Sequence, residues 1–219
     1  YESKKGFYSS VIPNFSYEKT IFDRRTLMIA PNLGYRINKN YDVLFFLGFL
    51  NHKRSFVENE TQRLRAGFTN MNAGFILGQT LLLNKRRYVG IRNELGFAES
   101  FNITDDEQFR IGDLSATGVF ISSSIFKRFS LFKNWFVYPK GGLMLSLNSY
   151  NNPYISDDHL PLIREENNLF ITTNLDIQIP SFGKSLLILG PTFKYSAINN
   201  ANSHSIDRTE VGVNFVFNF

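Results

Sequence analysis

Apolar and polar residues alternate with a period of two along almost the whole of this 219-residue chain, and helical periodicity is nearly absent. In the closing stretch "TEVGVNFVFNF" (209–219), one parity carries Val211, Val213, Phe215, Phe217 and Phe219, whereas Glu210, Gly212, Asn214 and Asn218 lie on the other. The 23 Phe and 10 Tyr also favour strands, because aromatic side chains fit a pleated surface. We predict an all-β chain of ten strands, at about 5–18, 26–38, 41–58, 61–83, 87–103, 109–130, 135–149, 167–180, 185–198 and 207–219.

Two kinds of connection alternate between these strands. The short ones are 38–40, 84–87, 132–134 and 180–184. The longer, more polar ones are 18–25, 103–109, 149–167 and 198–207, with 58–61 as a short exception. Short turns at one end and long loops at the other are typical of a transmembrane antiparallel up-and-down β-barrel. We predict one such domain over residues 1–219, of about ten strands (eight to twelve fit the pattern), with both termini on the periplasmic side.

The parity that faces lipid is indicated by the kind of residue on the opposite parity. Residues 26–37 set Leu27, Ile29 and Leu33 against small or weakly polar residues and one charge, Arg36. A soluble lipocalin-like barrel also alternates, but its solvated face would carry Lys, Glu and Thr. Small residues fit a crowded lumen better. We therefore predict that the apolar parity faces lipid, over the about 9–11 strand residues that cross a bilayer core.

The stretch "TLMIAPNLGYRINKNYDVLFFLGFL" (26–50) resembles the strand–turn–strand unit of small outer-membrane β-barrel proteins common in Bacteroidota. The ending "VGVNFVFNF" is similar to the C-terminal signal by which the barrel-assembly machinery recognises its clients. The residues that would form this signal are Val213, Phe215, Phe217 and Phe219. The resemblance implies a bacterial outer-membrane location and an assembly route. It implies no particular activity, since one fold hosts many functions.

Charged residues recur on the inward parity. They are Arg36, Arg92, Glu94, Lys140, Asp176, Lys194 and Glu210. They could form a selectivity filter or a proton path. They could equally form a salt-bridged network that fills a narrow lumen, because a barrel of about eight strands is barely wider than its own side chains. The second interpretation is favoured, since unpaired buried charges are costly.

The third strand departs from the pattern, because Leu44, Phe46 and Leu50 are apolar on the inward parity, with Gly48 between them. These residues could pack together as an apolar plug or line a pocket for an acyl chain. A local bulge that shifts the parity would produce the same pattern.

Catalytic, metal and cofactor sites have little support in the sequence. "SDDH" (156–159), with His159, invites comparison with the omptin surface proteases. "SHS" (203–205), with His204, invites comparison with outer-membrane lipid A deacylases. In both cases the rest of the family's pattern is missing. "DDE" (105–107) and Asp157–Asp158 lack the ligand spacing of a calcium loop. No phosphate-binding glycine loop or G-x-S-x-G element is present, so no cofactor and no enzymatic activity are predicted.

Basic residues gather at the short-turn end, whereas most acidic residues lie in the long loops. The basic residues of this predicted periplasmic rim are Lys85, Arg86, Arg87, Lys127, Arg128 and Lys133. They could contact phospholipid headgroups of the inner leaflet or an acidic partner protein. The net charge is +5, but the other basic residues are scattered along the chain, which argues against nucleic-acid binding. Two hypotheses follow: an accessory subunit of a larger envelope complex, for secretion, uptake or barrel assembly, or a narrow pore or small-molecule or lipid-binding barrel.

Overall fold

A computed structural model describes residues 5–19, 23–59, 62–102, 115–132, 134–151, 165–180, 186–201 and 207–218. Within these ranges every regular element is a β-strand. The strands are β1 (Gly6–Lys19), β2 (Asp23–Arg36), β3 (Tyr41–Asn59), β4 (Gln62–Asn84), β5 (Val89–Asn102), β6 (Ser115–Lys127), β7 (Phe129–Phe132), β8 (Trp135–Asn151), β9 (Glu165–Pro180), β10 (Leu186–Ala201) and β11 (Asp207–Asn218).

The strands form one antiparallel sheet in which neighbours in sequence are neighbours in space. β1 pairs with β11, and β6 pairs with β8, so the sheet curls round on itself. The four-residue β7 pairs only with the start of β8 and continues the path of β6 after a break at Arg128. The prediction of an all-β, antiparallel up-and-down barrel of about ten strands is confirmed. The first residues of the predicted sixth strand, 109–114, lie outside the described residues.

One predicted long connection, at 18–25, is shorter than expected, because β1 continues to Lys19 and β2 already begins at Asp23. The register places Glu18 opposite Arg24 and Lys19 opposite Asp23, so the strand pairing continues into the segment that was predicted to be a loop.

The short turns are closed by asparagine side chains. The Oδ1 atom of Asn38 accepts hydrogen bonds from the backbone nitrogens of Asn40 at 2.8 Å and Tyr41 at 3.1 Å. The Oδ1 atom of Asn84 likewise accepts one from the backbone of Arg87 at 3.0 Å. Asparagine folds such turns because its side chain imitates a backbone carbonyl. Both described ends of the chain lie at this same short-turn end of the barrel.

The two faces of the wall separate as the alternation predicts. Outward side chains are apolar and exposed, such as Leu33, Phe45 and Ile125, the last of which is 60% exposed. Inward positions are buried, and they include Ala30 and Asn32. No helix in the described part of the chain is long and apolar enough to cross a membrane.

The third strand keeps its parity, so the interpretation of its apolar inward residues as a bulge is wrong. β3 pairs with β4 without a register shift from Tyr41 to Val57. Leu44 and Phe46 are therefore inward residues, and the Phe46 ring lies where a side chain on Gly74 of β4 would extend. The side chain of Leu50 lies outside the described residues.

Aromatic rings packed on glycines fill part of the lumen. Gly34, Gly74, Gly90 and Gly96 each lie directly opposite an aromatic residue on the neighbouring strand. In each pair the ring covers the glycine so closely that a Cβ atom there would collide with it. The rings are those of Tyr8, Phe46, Phe126 and Phe120. Glycine therefore makes room for inward rings, which shield the glycine backbone in return.

Candidate functional site

An ion pair between Arg92 of β5 and Asp42 of β3 lies in the lumen, at the end of the barrel with the short turns. Two guanidinium nitrogens donate to the two carboxylate oxygens, at 2.5 Å and 3.0 Å. The side chains are only 16% and 8% exposed. They meet across β4 at Gly78, where a Cβ atom would strike both of them. A bidentate, nearly dry pair of this kind fixes both side chains in one geometry.

Polar side chains around this pair use most of the remaining hydrogen-bonding capacity. Arg92 also donates to Glu94 at 3.0 Å and to the Thr80 hydroxyl at 3.1 Å. The Tyr8 hydroxyl donates to Asp42 at 3.0 Å, and the Ser122 hydroxyl donates to Glu94 at 3.3 Å. The result is one connected network that joins β1, β3, β4, β5 and β6 across the lumen.

Arg36 contributes a different contact to the same region. Its guanidinium carbon lies 5.7 Å from the centre of the Tyr8 ring, in a cation–π arrangement. Its backbone lies opposite Asp42 in the register of β2 and β3. The structure thus brings three of the predicted lumen residues, Arg36, Arg92 and Glu94, together around Asp42.

A second ion pair lies on the other side of the lumen. The Lys140 ammonium of β8 donates to the Asp176 carboxylate of β9, and both side chains are buried. Asp176 fits beside β10 because Gly190 there has no side chain. Lys194 lies further along β10, opposite Glu210 in the register of β11. The side chain of Glu210 lies outside the described residues.

Aromatic side chains pack in the lumen next to this second ion pair. Tyr138 lies opposite Asp176 and is 2% exposed, and its ring centre is 6.4 Å from that of Phe126. Phe170 is equally buried. Charged networks and rings together fill part of the lumen that the structure describes, as expected in a small barrel.

The basic rim is built at the turns between β4 and β5 and between β6 and β8. Lys85, Arg86 and Arg87 are exposed there. The Arg128 guanidinium carbon lies 3.1 Å from the centre of the Tyr88 ring and 4.7 Å from that of Phe136. The Lys127 ammonium lies 4.5 Å from the Phe129 ring. Lys133 lies outside the described residues. We use "basic rim" below for Lys85, Arg86, Arg87, Lys127 and Arg128.

Exposed aromatic residues lie beside the basic rim. Phe132 is 68% exposed and meets Trp135 edge-to-face, with ring centres 5.8 Å apart. Aromatic rings next to basic residues are typical of the boundary between hydrocarbon and water.

The other predicted sites are only partly described. Val213 is an exposed outward residue of β11, and the backbones of Phe215 and Phe217 pair with β1. Phe219, His159 and His204 lie outside the described residues, as do 105–107 and 157–158. Among the residues that the structure does describe, no three acidic or histidine side chains are grouped so that they could hold a metal ion.

Two central residues of the network, Asp42 and Tyr8, are absent from the sequence prediction. Asp42 is the second residue of the apolar strand β3 and lies on its inward parity, so the parity rule alone could have identified it. Tyr8 shares a parity with inward residues of β1, but a tyrosine gives no sign of facing a charge.

No protein-family model and no curated protein matches the chain. Among solved structures, the crystal structure of the beta domain of the Bordetella autotransporter Brka is similar. It is 12% identical, with a TM-score of 0.54, and the match covers 99% of this chain and 100% of that one. At this identity the similarity concerns the fold, and it supports the assignment of a β-barrel domain over almost the whole chain.

Proposed function

We propose that this protein is a non-catalytic integral barrel of a bacterial outer membrane that serves as an accessory subunit of a larger envelope complex, for secretion, uptake or barrel assembly. Barrels with exposed apolar walls and short turns at one end span outer membranes. The resemblance of residues 26–50 to small Bacteroidota barrels supports this location. The alternating C-terminal strand supports insertion by the barrel-assembly machinery.

The side chains that extend into the lumen are the observation that carries this proposal. The Arg92–Asp42 network and the buried Tyr138 and Phe126 rings occupy part of the space that a transported solute would need. A barrel that encloses little free space offers a partner its outer wall and its two ends. Its contribution to the cell is then made through contacts at those surfaces.

The basic rim supports an orientation with the short turns in the periplasm. There the exposed side chains of Lys85, Arg86 and Arg87 can reach headgroup phosphates or an acidic protein surface. The neighbouring aromatic residues would lie at the level of the inner-leaflet headgroups.

Co-purification tests the accessory role. An affinity-tagged chain, extracted from its native membrane in a mild detergent, is expected to elute with one or more larger envelope proteins in fixed proportion. The tagged barrel should show a heat-dependent shift in gel mobility, which reports its folded state. A tagged barrel that is folded but always elutes alone would exclude an accessory role.

A narrow pore is the second candidate, favoured by the charged residues that line the lumen. Because the Arg92–Asp42, Arg92–Glu94 and Lys140–Asp176 pairs and the buried rings occupy the lumen, we expect the purified barrel to show no conductance steps in planar bilayers across salts and voltages. The variant Phe126→Ala/Tyr138→Ala, which removes two adjacent rings, serves as the positive control if it folds. Steady conductance steps from the unmodified protein would instead favour the pore.

A further inference from the structure

A row of hydrogen-bonded polar side chains crosses the outward face of β3, β4, β5 and β6. The Gln79 amide donates to the Tyr41 hydroxyl at 2.9 Å, and the Asn93 amide donates to the Gln79 carbonyl at 3.1 Å. The Ser123 hydroxyl completes the row by donating to the Asn93 carbonyl at 2.8 Å. Each of these pairs is directly opposite in the strand register. We call these four residues the outer polar row.

Three members of the outer polar row, Gln79, Asn93 and Ser123, lie within the apolar surface, whereas Tyr41 begins β3 beside the short turn at 38–40. Two residues to either side of Gln79 on the same face are Leu77 and Leu81, both exposed. Asn93 is flanked in the same way by Ile91 and Leu95, and Ser123 by Ile121 and Ile125. Among the outward positions whose side chains the structure describes, Gln79 and Asn93 are the only amides flanked by apolar residues on both sides.

The bonds within the row leave some amide protons without a partner inside the row. Gln79 and Asn93 each donate one of their two amide protons to a neighbour in the row. Lipid chains accept no hydrogen bonds, so a donor that faces them loses the bond it would make in water. Polar side chains on a membrane-facing surface are for this reason characteristic of protein–protein contacts within the bilayer.

The basic rim belongs to the same wall, because it is formed by the turns that end β4 and β6. No acidic residue occurs in 84–88 or at 127–128. In a symmetric dimer each copy would present the same wall to the other, so the two rims would face each other and repel. The amides of the outer polar row could pair with a second copy, but the rim opposes it. A partner with acidic residues at the rim satisfies both features.

We propose that the wall formed by β3 to β6 docks a different integral membrane protein, which accepts hydrogen bonds from the outer polar row and places acidic residues beside the basic rim. This rests on the accessory role proposed above and assigns the surface through which that role is exercised.

Photo-crosslinking in the native membrane locates the docking wall. The photoreactive amino acid p-benzoylphenylalanine replaces Leu95 or Ile121, which flank the outer polar row. In control variants it replaces Phe193 or Val211, which are exposed on β10 and β11 on the opposite side of the barrel. We expect one protein adduct from the first two positions and none from the other two. The protein in that adduct is expected to have an acidic periplasmic edge.

Substitutions then test whether the outer polar row and the basic rim bind the partner. Gln79→Leu/Asn93→Leu is expected to lower the adduct yield about tenfold, because it removes both amide donors that the partner would bond within the membrane. The variant should keep its heat-dependent gel shift, since it removes polar groups from an apolar surface. Thr173→Val, which removes an exposed hydroxyl from β9, is the matched control and should leave the yield unchanged. Arg86→Glu/Arg87→Glu should lower the yield by charge reversal.

The outcomes separate this proposal from the accessory role. If a partner co-purifies but its adduct survives both double variants, or forms equally from Phe193 and Val211, the docking wall is wrong and the accessory role stands. An adduct of twice the mass of the chain would identify a second copy and overturn the choice of a different protein. If the folded barrel elutes alone and only lipid adducts form, both proposals fail.

Discussion

Arg92→Met is expected to destabilise the folded barrel by about 3–5 kcal/mol, because it leaves the Asp42 carboxylate buried without its cation. The Asp42 side chain is 8% exposed, and both of its oxygens accept from Arg92. Tyr8 would remain as a neutral donor and Arg36 would remain over the Tyr8 ring, but neither makes the bidentate contact with Asp42 that Arg92 makes. Urea unfolding in lipid vesicles, followed by tryptophan fluorescence of Trp135, measures the free energy of unfolding.

A double variant that replaces both members of the ion pair distinguishes the effect of a broken ion pair from that of lost packing. Asp42→Leu/Arg92→Met removes both charges together and is expected to recover most of the loss, since apolar replacement of a buried pair is often neutral. Glu94→Gln is the milder control, because the Glu94 side chain is 34% exposed and touches only the edge of the network. If the double variant were as unstable as Arg92→Met alone, packing of the arginine stem would be the cause, and the ion pair would contribute little.

The alternation in the sequence was sufficient to predict the barrel and the direction of most side chains. Its period of two leaves only two faces, and the identity of the residues on each face then separates lipid from lumen. The prediction failed at 18–25, where polar residues favoured a loop. The structure instead continues the pairing of β1 with β2 there, and a single strand does not reveal that register.

The contacts inside the lumen could not be predicted from the sequence in the same way. Arg92 and Asp42 are 50 residues apart, and they meet because Gly78 on the strand between them leaves space. The outer polar row was hidden for a similar reason. Gln79, Asn93 and Ser123 each look like a single polar exception in an apolar strand, and only the register of β4, β5 and β6 aligns them.

Two adjacent glycines of β8 offer the second large expected effect. A Cβ atom on Gly142 would collide with the backbone oxygen of Ser123 and the Cα atom of Ser124 on β6, whereas a Cβ atom on Gly141 would meet nothing within 4 Å. Backbone atoms of a paired strand cannot move aside as a flexible side chain can. Gly142→Ala is therefore expected to lower the free energy of unfolding by about 1–3 kcal/mol through overpacking.

Gly141→Ala is the matched control, since it adds the same methyl group one residue away on the outward face. It is expected to stabilise the barrel by about 0.5–1 kcal/mol, because glycine in a strand loses more conformational freedom on folding than alanine. Neither glycine has a positive φ, so backbone strain predicts no difference between the two. Urea unfolding in vesicles measures both variants. Equal effects at the two positions would mean that β6 and β8 do not approach each other at Gly142 as closely as the closing of the sheet requires.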